Sequence, residues 1–117
     1  MLDKILSFLA QKPERFDVSS QLSKLSSSLC FGIYDPVRST VRLYIYARSS
    51  QNILQSDVLF TIPSKYRPKS NIGMPCICTT SSEYTAAYYA VVKTNGQIVQ
   101  DLGSTLREIM IMGEYII

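Results

Sequence analysis

The sequence predicts an all-β protein, an antiparallel β-sandwich or jelly-roll-like barrel with a short N-terminal helix. Three observations predict it: runs of alternating polarity, many β-branched and aromatic residues within those runs, and turn residues about every ten positions. Residues 24–117 are expected to form the β domain, with about seven or eight short strands. Residues 1–23 are expected to form the helix and a linker, as an attachment or trimer-shaft region.

The composition is that of one folded domain. The chain has 117 residues, of which 46% are hydrophobic and 18% charged, and its net charge is +3. Its twelve basic residues are dispersed, whereas a nucleic-acid-binding protein more often clusters them on one element. No apolar run approaches the ~17–25 residues that span a bilayer. We therefore expect neither nucleic-acid binding nor membrane insertion.

The three cysteines are an odd number, which argues against a disulfide framework. Cys76 and Cys78 are two apart in a strand-like run, so their side chains share one face. A zinc site needs about four ligands, and the chain has no histidine and only one further cysteine. We expect no metal and three buried, reduced thiols, which suits a protein folded in a cytoplasm.

The first ten residues have a helical pattern that Pro13 ends, because apolar side chains recur at Leu2, Ile5, Leu6 and Leu9. A helix of about ten residues is marginal alone and must pack on something. It packs either on its own domain or on the same helix of other copies in a trimer. The serine-rich residues 14–28 are expected to be a polar linker that leads into the first strand.

Residues 41–48 show the clearest alternation. One face is apolar, with Val41, Leu43, Ile45 and Ala47, and the other carries Arg42, Tyr44, Tyr46 and Arg48. Tyrosine and arginine are enriched in interfaces, so this outer stripe is a candidate receptor site or subunit interface. Packing of arginine stems on tyrosine rings within one sheet is the alternative. Two tyrosines of the strand predicted at residues 84–93 are further candidates, Tyr84 and Tyr88.

Proline and glycine mark the turns. Pro63 ends a strand at residues 58–62, and Pro68 favours an extended, non-helical corner at Tyr66 and Arg67. The Asn95-Gly96 pair predicts a β-hairpin with a type I′ turn. The end of the chain, residues 106–117, is expected to be one strand or a strand pair broken near a glycine.

These elements together resemble a phage family. The motif segments are Thr61–Pro68 (TIPSKYRP), Val91–Ile98 (VVKTNGQI) and Gly113–Ile117 (GEYII). They are similar to the C-terminal head domains of tail-fibre and receptor-binding proteins of tailed phages, over roughly residues 24–117. The resemblance implies a homotrimeric virion protein of the tail or baseplate, made in the host cytoplasm. It also implies contact with other phage tail or baseplate proteins.

In such head domains the receptor is a saccharide or protein of the bacterial surface, and binding it serves host adsorption. The receptor site varies within the family and does not carry over residue by residue. The motif residues carry over as structural positions, namely Pro63, Tyr66, Arg67, Pro68, Asn95 and Gly96.

The sequence lacks the usual means of catalysis. Without histidine, a Ser-His-Asp or Cys-His arrangement is impossible, and no phosphate-binding loop appears. We therefore expect a protein that is not an enzyme and needs no cofactor. Two functions stay open: a receptor-binding head, or a virion accessory module (baseplate or capsid decoration) that binds another phage structural protein. Tyrosines in an exposed concave pocket favour the first, and tyrosines buried between subunits favour the second.

Overall fold

The computed structural model describes residues 12–20, 25–53, 57–80, 85–100 and 106–117, together with Leu2. Nine strands lie in these ranges: β1 (Glu14–Asp17), β2 (Ser19–Ser20), β3 (Leu25–Asp35), β4 (Thr40–Ile53), β5 (Val58–Thr61), β6 (Ile72–Thr80), β7 (Thr85–Val92), β8 (Gln97–Gln100) and β9 (Leu106–Ile116). The helical structure of these ranges is one 3₁₀ turn, Ser64–Tyr66. The predicted N-terminal helix falls outside the described residues, apart from Leu2.

All strands belong to one antiparallel sheet in the order β1-β3-β4-β9-β6-β7-β8-β5-β2. Its two edge strands, β1 and β2, are consecutive in the chain and separated by Val18 alone. The segment 14–20 therefore pairs with β3 through its first half and with β5 through its second half. This nearly closes the sheet into a barrel. The all-β prediction is confirmed, and one continuous sheet corresponds to the barrel form of that prediction.

The segment 14–20 differs from the sequence interpretation, which placed it in a polar linker. Phe16 and Val18 are buried in the core, while the residues between and around them face outward. The backbone N–H of Val18 also donates to the carbonyl of Cys30 at 3.1 Å. The β domain therefore starts near residue 14 rather than residue 24. Burial of two apolar side chains outweighs the polar composition of this stretch.

Strand β9 lies between β4 and β6, in the middle of the sheet order. It pairs with β4 from Thr40 opposite Ile116 to Ile53 opposite Leu106. The structure has one strand here, without a break at Gly113. Because Gly113 has no side chain, Met74 can pack against its backbone. A Cβ at this position would lie 2.2 Å from the Sδ of Met74.

The core is the inside of the barrel. The predicted inner face of β4 is confirmed, since Val41, Leu43, Ile45 and Ala47 are all buried. Cys76 and Cys78 also point inward, with their sulfur atoms 3.6 Å apart, and neither forms a disulfide. Cys30 is also a thiol, but it is only half-buried.

The predicted hairpin at Asn95-Gly96 is present, but its turn is of another type. Residues 93–96 join β7 to β8, and the N–H of Gly96 donates to the Lys93 carbonyl at 2.9 Å. Only Gly96 has a positive φ, of 87°, whereas a type I′ turn needs it at both central positions. The side-chain oxygen of Asn95 instead accepts from the N–H of Gln97 at 3.0 Å, which fixes a turn that Asn95 makes with ordinary backbone angles.

A corner at residues 63–68 ties β1 to the barrel. The rings of Tyr66 and Phe16 are stacked, with centroids 4.0 Å apart and planes 8° apart. The Tyr66 hydroxyl donates to the carboxylate of Glu14 at 2.8 Å, and Lys65 Nζ donates to it at 2.9 Å. These two donors, Lys65 foremost, lower the pKa of Glu14 below its ordinary value.

Arg67 joins the same corner to the β7–β8 hairpin. Its Nε donates to the Ile62 carbonyl at 2.9 Å, and the N–H of Ile62 donates to the Gly96 carbonyl at 2.9 Å. Arg67 is extended (φ −78°, ψ 145°), as its position before Pro68 predicts. Tyr66, however, ends the 3₁₀ turn, so the expectation of a fully non-helical corner was wrong. Pro63 limits only the strand before it and leaves the next residues free to turn.

Tyr115 links the last strand to this corner, because its hydroxyl donates to the Tyr66 carbonyl at 2.5 Å. Burial raises the pKa of Tyr115 above its ordinary value of 10.0.

Replacing Tyr115 by phenylalanine should lower the free energy of unfolding by about 1–2 kcal/mol at neutral pH, since the Tyr66 carbonyl loses its partner. In the wild type the raised pKa favours folding at neutral pH. As pH rises above about 10, the unfolded state loses the phenolic proton first, and stability falls by about 1.4 kcal/mol per pH unit. The gap between wild type and variant should therefore narrow in urea titrations between pH 8 and pH 11. If the difference in unfolding free energy between wild type and variant stays constant over this range, the Tyr115 hydroxyl is not the buried, protonated donor described here.

Candidate binding face on the outer surface of the barrel

The outer face of β3, β4 and β9 consists of side chains that lie in rows across the sheet. One row is Phe31, Tyr44 and Met112, and the next is Leu29, Tyr46 and Met110. Side chains two apart on a strand point to the same side, so both rows face away from the core. The second row continues onto β6, where Ile77 lies opposite Met110.

An ion pair bounds these rows on each side. Arg42 donates to the Glu114 carboxylate at 3.0 Å, and Arg48 lies 3.2 Å from the Glu108 carboxylate. Each pair joins β4 to β9 at directly opposed positions. Hydrogen bonds with Tyr44 and with Glu114 raise the pKa of Arg42 further. The charges at both ends of the face are thus compensated within the chain.

Aromatic contacts order the first row. The rings of Phe31 and Tyr44 are stacked, with centroids 5.1 Å apart. The guanidinium carbon of Arg15 lies 3.9 Å from the centroid of the Phe31 ring, within cation–π range. In the second row, a hydrogen bond to Glu108 raises the pKa of Tyr46. The tyrosine rings are therefore held in place and offer fixed surfaces to a ligand.

A polar cavity of about 190 Å³ opens at the Arg42 end of the face. It is lined by Pro13, Ile33, Asp35, Arg38, Thr40, Arg42, Tyr44 and Glu114. Two of its walls are the strands and the third is the β3–β4 turn, which the Asp35 carboxylate stabilises by accepting from the N–H of Val37 at 3.0 Å. Arginines, carboxylates and one tyrosine hydroxyl thus surround a space the size of a small polar ligand.

The rest of the face is apolar. A second cavity of about 240 Å³ is lined by Pro75, Cys76, Ile77, Ala87, Tyr88, Met110 and Met112. Around it, Met112 is 53% exposed, Ile77 50% and Tyr89 56%. We call the residues Leu29, Ile77, Tyr89, Met110 and Met112 the outer apolar patch. Contiguous apolar surface of this kind marks sites of protein contact.

The structure brings together the four predicted residues of the stripe, Arg42, Tyr44, Tyr46 and Arg48, on one outer face. Tyr88 is not part of the stripe: it is half-buried, lies opposite the inward-facing Cys76 and packs against the core. It reaches the face only as one of the residues that line the second cavity. Its neighbour Tyr89 points outward instead. Tyr84 lies outside the described residues.

The residues predicted to be structural lie at the corner and at the β7–β8 hairpin. Tyr66, Arg67, Asn95 and Gly96 all make the corner and hairpin contacts described above. Pro63 starts the 3₁₀ turn, and Pro68 is buried behind Arg67.

The sequence predicted strands in these regions but not which of them lie side by side. Phe31, Ile77, Met112 and Tyr89 belong to four different strands, and strand pairing places them on the same outer face as Tyr44. A sign was present in the run at residues 72–78, which is apolar at successive positions and so has apolar side chains on both faces.

The described ranges, from residue 12 to residue 117 with their gaps, contain no group of three or more histidine, cysteine, aspartate or glutamate side chains that could hold a metal ion. Nor does any helix within them have the length and hydrophobicity needed to cross a membrane.

Comparison with known proteins adds no relative: no family model matches this chain, and a search of curated proteins finds no match.

Proposed function

We propose that the chain is the head domain of a phage tail-fibre or receptor-binding protein, a non-catalytic homotrimeric module that binds a receptor on the bacterial surface for host adsorption. One observation carries this proposal. The three motif segments that support the resemblance meet at one end of the barrel, where Arg67 packs on Gly96 and the Tyr115 hydroxyl bonds to Tyr66. The motif therefore acts as one structural unit. The finer jelly-roll-like description belongs to the same proposal.

The polar cavity is the receptor site that this proposal favours, with a saccharide as ligand. A sugar presents hydroxyl groups, which pair well with arginine and carboxylate, and an apolar ring face, which packs on an aromatic side chain. Arg42, Glu114 and Asp35 supply the polar groups, and Tyr44 supplies the ring. Because Arg42 and Glu114 already hold each other, little side-chain entropy is lost on binding.

Replacing Tyr44 by alanine should weaken binding to bacterial cells at least tenfold, a loss of about 1.4 kcal/mol, since the stacking surface is removed. The measurement uses the fluorescently labelled chain in flow cytometry, on a panel of bacterial strains before and after periodate oxidation. We expect wild-type binding to at least one strain, and its loss after periodate, which cleaves sugar diols.

The matched control is Val37→Ala on the β3–β4 turn, a residue that is exposed beside the cavity but does not line it. Its binding should equal that of the wild type. Binding that survives periodate would indicate a protein receptor. No binding to any strain, or equal binding by the Tyr44 variant, would overturn the proposal of this site.

The outer apolar patch favours a second candidate, a virion accessory module that binds another phage structural protein. Methionine and isoleucine side chains that are half exposed suit a protein surface better than a saccharide. Under this candidate the chain would bind purified phage particles that lack it and would not bind cells. Binding to bacterial cells would therefore support the receptor-binding head, and binding to phage particles would support the accessory module.

A further inference from the structure

We propose that the saccharide bound in the polar cavity is acidic, and that Arg38 holds its anionic group, a carboxylate or a phosphate. This inference rests on the proposed receptor-binding function and specifies the class of ligand for its site. Arg38 lies on the β3–β4 turn and lines the cavity.

The other charged groups of the cavity are engaged within the chain. Among the described residues, four charged side chains line it, Asp35, Arg38, Arg42 and Glu114. Arg42 donates to Glu114 at 3.0 Å, and Oδ1 of Asp35 accepts from the backbone N–H groups of Val37 and Arg38 at 3.0 and 3.4 Å. The guanidinium of Arg38, in contrast, has Nε 3.9 Å from Asp35 Oδ2, which is too far for a hydrogen bond.

The Arg38 side chain is therefore the cation that a ligand can use. It is 79% exposed, whereas the Asp35 side chain is 31% exposed. Its planar guanidinium presents five N–H donors in a fork that matches the oxygens of a carboxylate or phosphate. Such charge-assisted bonds are roughly twice as strong as those to a neutral sugar hydroxyl. The charges just outside the cavity on β1, Arg15 and Asp17, have opposite signs and favour neither kind of ligand.

The backbone that carries Arg38 is fixed from both sides. Before it, the Asp35 carboxylate stabilises the turn through its two backbone bonds. After it, Ser39 has φ 54°, in the left-handed region, and its carbonyl accepts from the N–H of Ile117 at 2.8 Å. An exposed guanidinium on a fixed backbone loses less entropy on binding than one on a loose loop.

The arrangement of the cavity suits a sugar that carries an acidic substituent. Tyr44 reaches the cavity from within β4, and Arg38 reaches it from the turn at the end of the same strand. A sugar ring that packs on Tyr44 can therefore direct its anionic group toward Arg38. Neutral hydroxyl groups remain for the Arg42–Glu114 pair.

The test measures binding of the full chain to surface polysaccharide purified from a strain that the wild type binds in flow cytometry, by biolayer interferometry. Arg38→Gln should weaken binding about tenfold at about 0.1 M salt, because a charge-assisted contact is lost. At about 1 M salt, screening should bring the two affinities closer together. Arg38→Lys, which keeps the charge but not the planar fork, should bind with intermediate affinity.

The matched control is Lys69→Gln, which removes the same charge from an exposed residue that does not line the cavity. It should bind as the wild type does. Far-UV circular dichroism of each variant checks folding.

Chemical treatment of the polysaccharide distinguishes the two sources of the anion. Carbodiimide with glycinamide converts carboxylates to neutral amides, and cold hydrofluoric acid removes phosphate. Wild-type binding should be lost after one of these treatments, and Arg38→Gln should then bind no more weakly than the wild type.

Two outcomes would overturn the inference while the receptor function stands. The first is equal binding by the wild type and Arg38→Gln, and the second is wild-type binding that survives both treatments. A wild type that binds cells but not the purified polysaccharide would also contradict an acidic saccharide and would indicate another receptor. A wild type that binds no strain would overturn the proposed function and this inference with it.

Discussion

Replacing Gly96 by alanine is expected to lower the free energy of unfolding by about 3–4 kcal/mol. Two costs combine. The backbone there has φ 87°, a region that costs a residue with a Cβ roughly 1–2 kcal/mol. The new Cβ would also lie 2.5 Å from the Ile62 carbonyl oxygen and 2.4 Å from Arg67 Nε. The carbonyl is backbone in a paired segment, so the hairpin must shift away from the corner.

The measurement is urea unfolding of the full chain, with Gly73→Ala as the matched control. At Gly73 the nearest atom to an added Cβ is a Tyr89 ring carbon at 3.9 Å, an ordinary contact, and the backbone needs no positive φ. The control should stay within about 0.5 kcal/mol of the wild type. Equal losses for both variants would mean that the contact of hairpin and corner does not stabilise the barrel.

Replacing Phe16 by alanine is expected to cost about 3–4 kcal/mol of unfolding free energy. The ring is buried and fills the space between Tyr66, on which it stacks, and Gly32, where a Cβ would meet its Cζ at 2.2 Å. Nothing else described in the strand 14–17 points inward, so its removal leaves a cavity and frees β1 from the barrel. Hydrogen exchange at β1 should rise more than exchange at β9.

Asp17→Ala provides the control, because Asp17 lies in the same strand and is exposed. It should change the unfolding free energy by less than about 0.5 kcal/mol. If the Phe16 variant and the control unfolded at the same urea concentration, the packing of Phe16 against Tyr66 and Gly32 would not contribute to the stability of the barrel.

The sequence predicted those parts of the fold in which one face is buried and the other is solvated. Residues 41–48 alternate strictly because β4 lies between two strands with the core on one side, and the period of two then assigns each side chain to a face. The closing segment 14–20 was missed, because its apolar pattern consists of only Phe16 and Val18 among polar neighbours. Two residues are too few to show a period.

The candidate site was predicted in part for a similar reason. Its β4 residues, Tyr44 and Tyr46, follow from alternation, whereas Ile77 and Met112 do not. These lie in strands that are apolar on both faces, so polarity does not identify the outward side. Which strands lie side by side depends on pairings between distant residues, such as Tyr44 with Met112, and one sequence does not contain that information.

The position of β9 has a consequence for synthesis of the chain. Of the described strands it is made last, yet it lies between β4 and β6 and joins the two halves of the sheet. Until residues 106–116 leave the ribosome, the 14 residues of β4 and the 9 of β6 present unpaired edges. Such edges are templates for pairing with other chains. The nascent chain thus exposes both edges until the eleven residues of β9 are made, and β9 then covers the two edges in one step.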